Sequence, residues 1–90
     1  MVTNKAVTPK QPRTLMQAHE SLVRIQPSRD ASLEEWQSYY QRSVALYAEI
    51  AEIDRGHHHE AMYWVERERE KAKEVAALIR KGETSWDPFS

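Results

Sequence analysis

Three consecutive histidines, His57, His58 and His59, are the side chains of this chain best suited to chemistry. Neutral imidazole ligates zinc, copper or nickel. Adjacent residues on a helix point about 100° apart, so at most two of the three can converge on one ion. The helical zinc-protease pattern needs a second histidine four residues after His59, and Tyr63 stands there. A metal- or small-ligand-binding bundle centred on His57–His59 is therefore one reading. The other is structural, with His57 capping a helix and His58 and His59 lining its first turn. A pH-sensitive hinge is a third, because charged histidines at a helix N-terminus oppose its dipole.

The remaining chemistry is sparse. Cysteine is absent, and no serine has a histidine at a recognised catalytic spacing. No glycine-rich phosphate loop is present. In the run Glu66-Arg67-Glu68-Arg69-Glu70-Lys71-Ala72-Lys73-Glu74, acids and bases meet at i,i+3, as in Glu66 with Arg69 and Glu70 with Lys73. That pattern reads as a solvated helix face whose glutamates stay ionised. The expectation is a protein that is not an enzyme, with no catalytic residue, resident metal or cofactor.

The aromatic residues are more suggestive. Trp64 falls on the side of its helix that carries Glu60, Arg67 and Glu68, away from Val65, Ala72 and Ile79. A tryptophan there needs cover from another helix, from the chain's own end, from a second copy or from another protein. Tyr63, Trp64, Arg67, Trp86 and Phe89 are the candidate partner-binding residues, being of the types that anchor interfaces.

Periodicity supplies the elements that position these residues. Leu15, Ala18, Leu22 and Ile25 repeat at helical spacing, Thr14 and Gln17 form a potential capping box, and Pro27 stops the run. Ser32 and Glu35 open a second helix in the same way. Its apolar stripe is Leu33, Trp36, Tyr40, Tyr47, Ile50 and Ala51, flanked by Tyr39, Val44, Leu46 and Ile53. This is wider than one helix–helix seam requires, which places the second helix centrally. Gly56 is expected to close it in the left-handed conformation. A third helix carries Ala61, Val65, Ala72, Val75, Ala76 and Ile79 inward and stops at Gly82. The predicted fold is all-α. A long antiparallel hairpin over 33–54 and 58–81 and a shorter helix over 15–25 make a three-helix bundle. Residues 1–13 read as a disordered basic tail, 14–82 as the helical domain and 83–90 as a C-terminal tail that docks on the bundle or on a partner.

Composition narrows function by elimination. Ninety residues make one domain with a net charge of -1. A nucleic-acid binder usually carries a basic surplus, and the third helix sets five acids against six bases. Direct DNA contact is left to Lys5, Lys10 and Arg13 in the N-terminal tail. No apolar run approaches a bilayer span and residues 1–13 hold no apolar signal core, so a cytoplasmic protein is expected.

The stretch ALYAEIAEIDRGHHHEAMYWVEREREKA, residues 45–72, preceded by TLMQAHESLVRIQP, resembles a family of small uncharacterised proteins from actinobacteria. The resemblance spans about residues 14–80, and DRGHHHEAMYW is its most specific block. No activity is assigned to that family, so no site residue carries over. Such proteins tend to accompany helix-turn-helix regulators, which implies a regulatory protein partner. The leading expectation is a non-catalytic protein-interaction or regulatory module, with a homodimer as a variant of it.

Overall fold

The computed structural model describes residues 11–89; most of the proposed basic tail lies outside them. Three helices follow one another: α1 (Leu15–Ile25), α2 (Leu33–Ile53) and α3 (His58–Arg80). A single 3-10 turn, Arg55–His57, joins α2 to α3. A connection this short leaves antiparallel packing as the only option, and α2 and α3 form the main interface. α1 packs chiefly against α2, which is thus the central helix of an all-α three-helix bundle.

Local chemistry sets each helix end. Ser32 Oγ accepts from the Glu35 N–H at 3.1 Å and Glu35 Oε1 accepts from the Ser32 N–H at 3.2 Å, a complete capping box. At α1 the box is only half formed. Thr14 Oγ1 accepts from the Gln17 N–H at 3.1 Å, but the Gln17 side chain reaches one residue further back, to the Arg13 N–H at 2.9 Å. α3 ends at Gly82, whose φ of 81° suits glycine alone. Its N–H donates to Ile79 O and the Glu83 N–H donates to Leu78 O, both at 3.0 Å, which closes the helix in a Schellman motif.

Gly56 departs from expectation. It lies in the 3-10 turn without a positive φ, and α2 ends at Asp54, whose N–H donates to Ile50 O at 2.8 Å. The chain passes from α2 to α3 by tightening into a 3-10 turn, so no left-handed residue is needed.

The hairpin seam follows a strict heptad. Leu33, Trp36, Tyr40, Ser43, Tyr47 and Ile50 are buried at alternating spacings of three and four. Ala61, Val65, Glu68, Ala72 and Val75 answer from α3, with all but half-buried Ala72 fully buried. Two apolar clusters result. One, at the hinge end, joins Leu15, Ala18 and Leu22 of α1 to Tyr47, Ile50, Ala51, Ala61 and Val65. The other, at the open end, holds Leu33, Trp36, Tyr40 and Val75, with Ala31 and Trp86 packed against it. α1 rises only about 16 Å, half the length of α2, so it covers the hinge end alone. The α1–α2 linker and the C-terminal segment cover the other. Between the clusters sits a polar layer, Ser43 and Glu68.

Glu68 therefore corrects the reading of its charged run as wholly solvated. It is 5% exposed, while Glu66, Glu70 and Glu74 are exposed. The reason is register: Glu68 occupies the heptad position between Val65 and Ala72.

Candidate functional site

The histidine run and its flanks brace the hinge. Asp54 Oδ2 accepts from the Leu15 N–H at 2.9 Å, so the residue that ends α2 also satisfies an orphan donor in the first turn of α1. His57 Nδ1 donates to the same carboxylate, 3.1 Å from both oxygens. The Leu15 N–H and His57 hold the Asp54 carboxyl below its usual range, and Asp54 in turn raises the His57 imidazole, with Glu60 adding a smaller push. His58 Nδ1 donates to Ala51 O at 2.8 Å, joined there by Arg55 Nη1 at 3.3 Å. Together they satisfy a carbonyl in the last turn of α2.

His57 occupies the N-cap position of α3 but makes no capping hydrogen bond with its side chain, since that ring faces Asp54. The three imidazoles thus face different ways: His57 toward Asp54, His58 toward α2, and His59 edge-on to His58 at 5.5 Å, exposed. Among the described residues, no three histidine or carboxylate side chains gather in a metal-binding group.

Halfway along the bundle, Trp64 finds its cover inside the molecule. It stacks on Tyr47 at 5.9 Å, and the His19 ring of α1 meets its edge at 5.0 Å. Burial, and then the Glu68 charge, push the Tyr47 phenol upward, so the group stays protonated, and its hydroxyl shares a 2.7 Å hydrogen bond with His19 Nδ1. Tyr39 and Tyr40 are raised for the same two reasons. Arg67 lies over the Trp64 ring at 5.3 Å and donates to Glu68 Oε2 at 2.9 Å. One guanidinium thus caps the stack and neutralises the buried carboxylate.

Tyr63, 61% exposed, stands edge-on to Trp64 at 5.3 Å on the outside of this stack. Successive steps of 100° place Tyr63, Glu66, Glu70 and Glu74 along the outward crest of α3, opposite the heptad seam. The cations fall on its flanks. Arg69 pairs with Glu66 at 3.1 Å, Lys73 with Glu70 at 3.4 Å and Lys71 with Glu74 at 3.9 Å, so the i,i+3 pairing of the sequence is realised. A shallow groove of about 400 Å³ runs along this face from Tyr63 to Glu74.

Trp86 and Phe89 are not beside Trp64. They lie at the open end, on Trp36, where the C-terminal segment packs against its own bundle. The five candidate interface residues thus fall into two groups, Tyr63–Trp64–Arg67 and Trp86–Phe89, with Lys71 between them.

Three contributors escaped sequence reasoning: Asp54, His19 and Glu68. Glu68 had a signal, the gap at 68 in an otherwise unbroken spacing of 61, 65, 72, 75 and 79. Asp54 and His19 act across sequence separations of 39 and 28 residues, which no local pattern encodes.

No known protein family's sequence profile matches the chain, and neither a curated protein nor a solved structure is recognisably similar to it. No helix among the described residues is long and apolar enough to cross a membrane.

Proposed function

We propose that the protein is a small non-catalytic interaction module whose α3 crest docks a basic helix of another protein, a transcription regulator in the first instance. The observation that carries this reading is the crest itself. One exposed phenol, Tyr63, is backed by the Tyr47–Trp64–His19 stack and continues into three exposed carboxylates. An aromatic held by neighbouring rings loses little freedom on binding, which favours its use as an anchor. Each crest carboxylate is paired with a flanking cation, Glu66 with Arg69, Glu70 with Lys73 and Glu74 with Lys71, and a basic helix docks by exchanging into these exposed pairs, each of which is worth little by itself.

The test is capture from the native host with the full chain, comparing wild type with Tyr63→Ala and with Glu70→Lys/Glu74→Lys. Wild type retains a partner whose cross-linked peptide is a Lys/Arg-rich helix, the complex weakens with salt, and both variants lose it. A strictly monomeric protein that captures nothing, or capture indifferent to all three substitutions, contradicts the proposal. Calorimetry with zinc, nickel and copper, on wild type and His58→Ala/His59→Ala, addresses the metal-binding alternative.

A further inference from the structure

The C-terminal segment is held in an unusual way. After the Schellman turn at Gly82, residues 83–85 run exposed, and Trp86 returns to the open end of the hairpin. Its ring meets Trp36 edge-on at 5.9 Å and Tyr40 at 6.0 Å, with Lys71 Nζ 5.7 Å from its centroid. Pro88 is buried. Phe89 meets the Trp36 edge at 6.0 Å and carries the Arg29 guanidinium over its face at 5.3 Å. Asp87 bends the segment by accepting from the Phe89 N–H at 3.0 Å, and its carboxylate lies 3.9 Å from Arg29 Nε. The seat is imperfectly filled. Phe89 is 53% exposed, and a recess of about 420 Å³ remains between the α1–α2 linker and the tail.

These are the contacts of a short linear peptide on a receptor: two aromatic anchors and one acid, each with a cation beside it, and a buried proline. The platform belongs to the folded bundle. Trp36 is buried and fixed by its Nε1–H donating to Ser28 O at 3.2 Å, and Arg29 and Lys71 come from the linker and α3. We infer that the Trp36–Tyr40 platform, flanked by Arg29 and Lys71, is a binding site for short acidic segments carrying aromatic residues around an Asp-Pro pair. Residues 86–89 occupy it in cis as a built-in competitor. The occupant that displaces them is a segment of the same chemistry on another protein. This site is separate from the α3 crest and stands or falls independently of it.

Tethering sets the magnitude. A tail joined by a short connection has an effective concentration on the order of 1 mM. A tail that occupies its seat about nine-tenths of the time at that concentration weakens an external ligand roughly tenfold.

The probe is a synthetic peptide of residues 83–90, with a scrambled peptide as control, titrated into the full chain. Full-length Trp86→Ala/Phe89→Ala, which vacates the seat, is predicted to bind the peptide about tenfold more tightly than wild type and to ignore the scrambled one. A folded variant that binds no better than wild type, or binds both peptides alike, overturns the inference. So does a dimer formed by exchange of tails, because the segment would then serve assembly. Should the double variant fail to fold, the wild-type spectrum decides. Millimolar peptide must shift the Trp36 indole and Tyr40 ring resonances and release the Trp86 indole to solvent exchange, and unchanged resonances overturn the inference.

Discussion

Two side chains do more than their positions suggest. Asp54 ends α2, receives the Leu15 N–H of α1 and holds His57. Its carboxyl is lowered, so the stability it contributes is present above the ordinary value of about 4 and is lost as pH falls through the lower folded value. His57 is raised, so its contribution is full below about 6.5 and is lost as pH rises through the higher folded value. The hinge contribution is therefore predicted to peak between about pH 4 and 6.5. Urea unfolding across pH measures it, and Asp54→Asn should flatten both slopes. Arg67 is the second case. It is the hydrogen-bonding partner of the buried Glu68 carboxylate, so Arg67→Met is predicted to cost about 1–3 kcal/mol in urea unfolding. Adding Glu68→Leu to that variant restores stability to the wild-type level or above, because leucine at this heptad position joins the two apolar clusters.

The helices and their order were legible from apolar spacing, from Ser32–Glu35, and from Gly82, since these signals act within one turn of chain. The place of the hinge was legible as well, but its conformation was not, because a 3-10 turn and a left-handed glycine are alternative ways to leave a helix, and Gly56 permits both. Ser32→Ala tests the local signal. Losing the complete capping box is predicted to cost about 1 kcal/mol in chemical denaturation, and Thr14→Ala, at the half-formed box, less. The polar layer shows the limit of binary patterning. A glutamate in a charged run looks solvated until its neighbours four residues away on either side, Trp64 and Ala72, are both found packed against the apolar clusters.

The whole molecule is a hairpin covered at one end by a helix and at the other by a tail. The width of the α2 stripe announced the need for cover, and the chain supplies it twice. Trp36 anchors the tail end, so Trp36→Ala is predicted to cost about 3–5 kcal/mol and to free Trp86, read by denaturation and fluorescence quenching. Of the candidate interface, the residue types were legible in the sequence and their partners were not. Tyr47 reaches Trp64 across the α2–α3 seam and His19 only through the packing of α1, and together they turn a lone tryptophan into the rigid backing of Tyr63. Site-specific photo-cross-linking in the native host, from position 59, one turn before Tyr63 on the crest, and from position 41 on the exposed side of α2 as control, tests the proposed function most directly. The account predicts one dominant product from position 59, mapping to a Lys/Arg-rich helix of a single protein and abolished by Glu70→Lys/Glu74→Lys, with no such product from position 41. No product from position 59, or the same products from both positions, would contradict it.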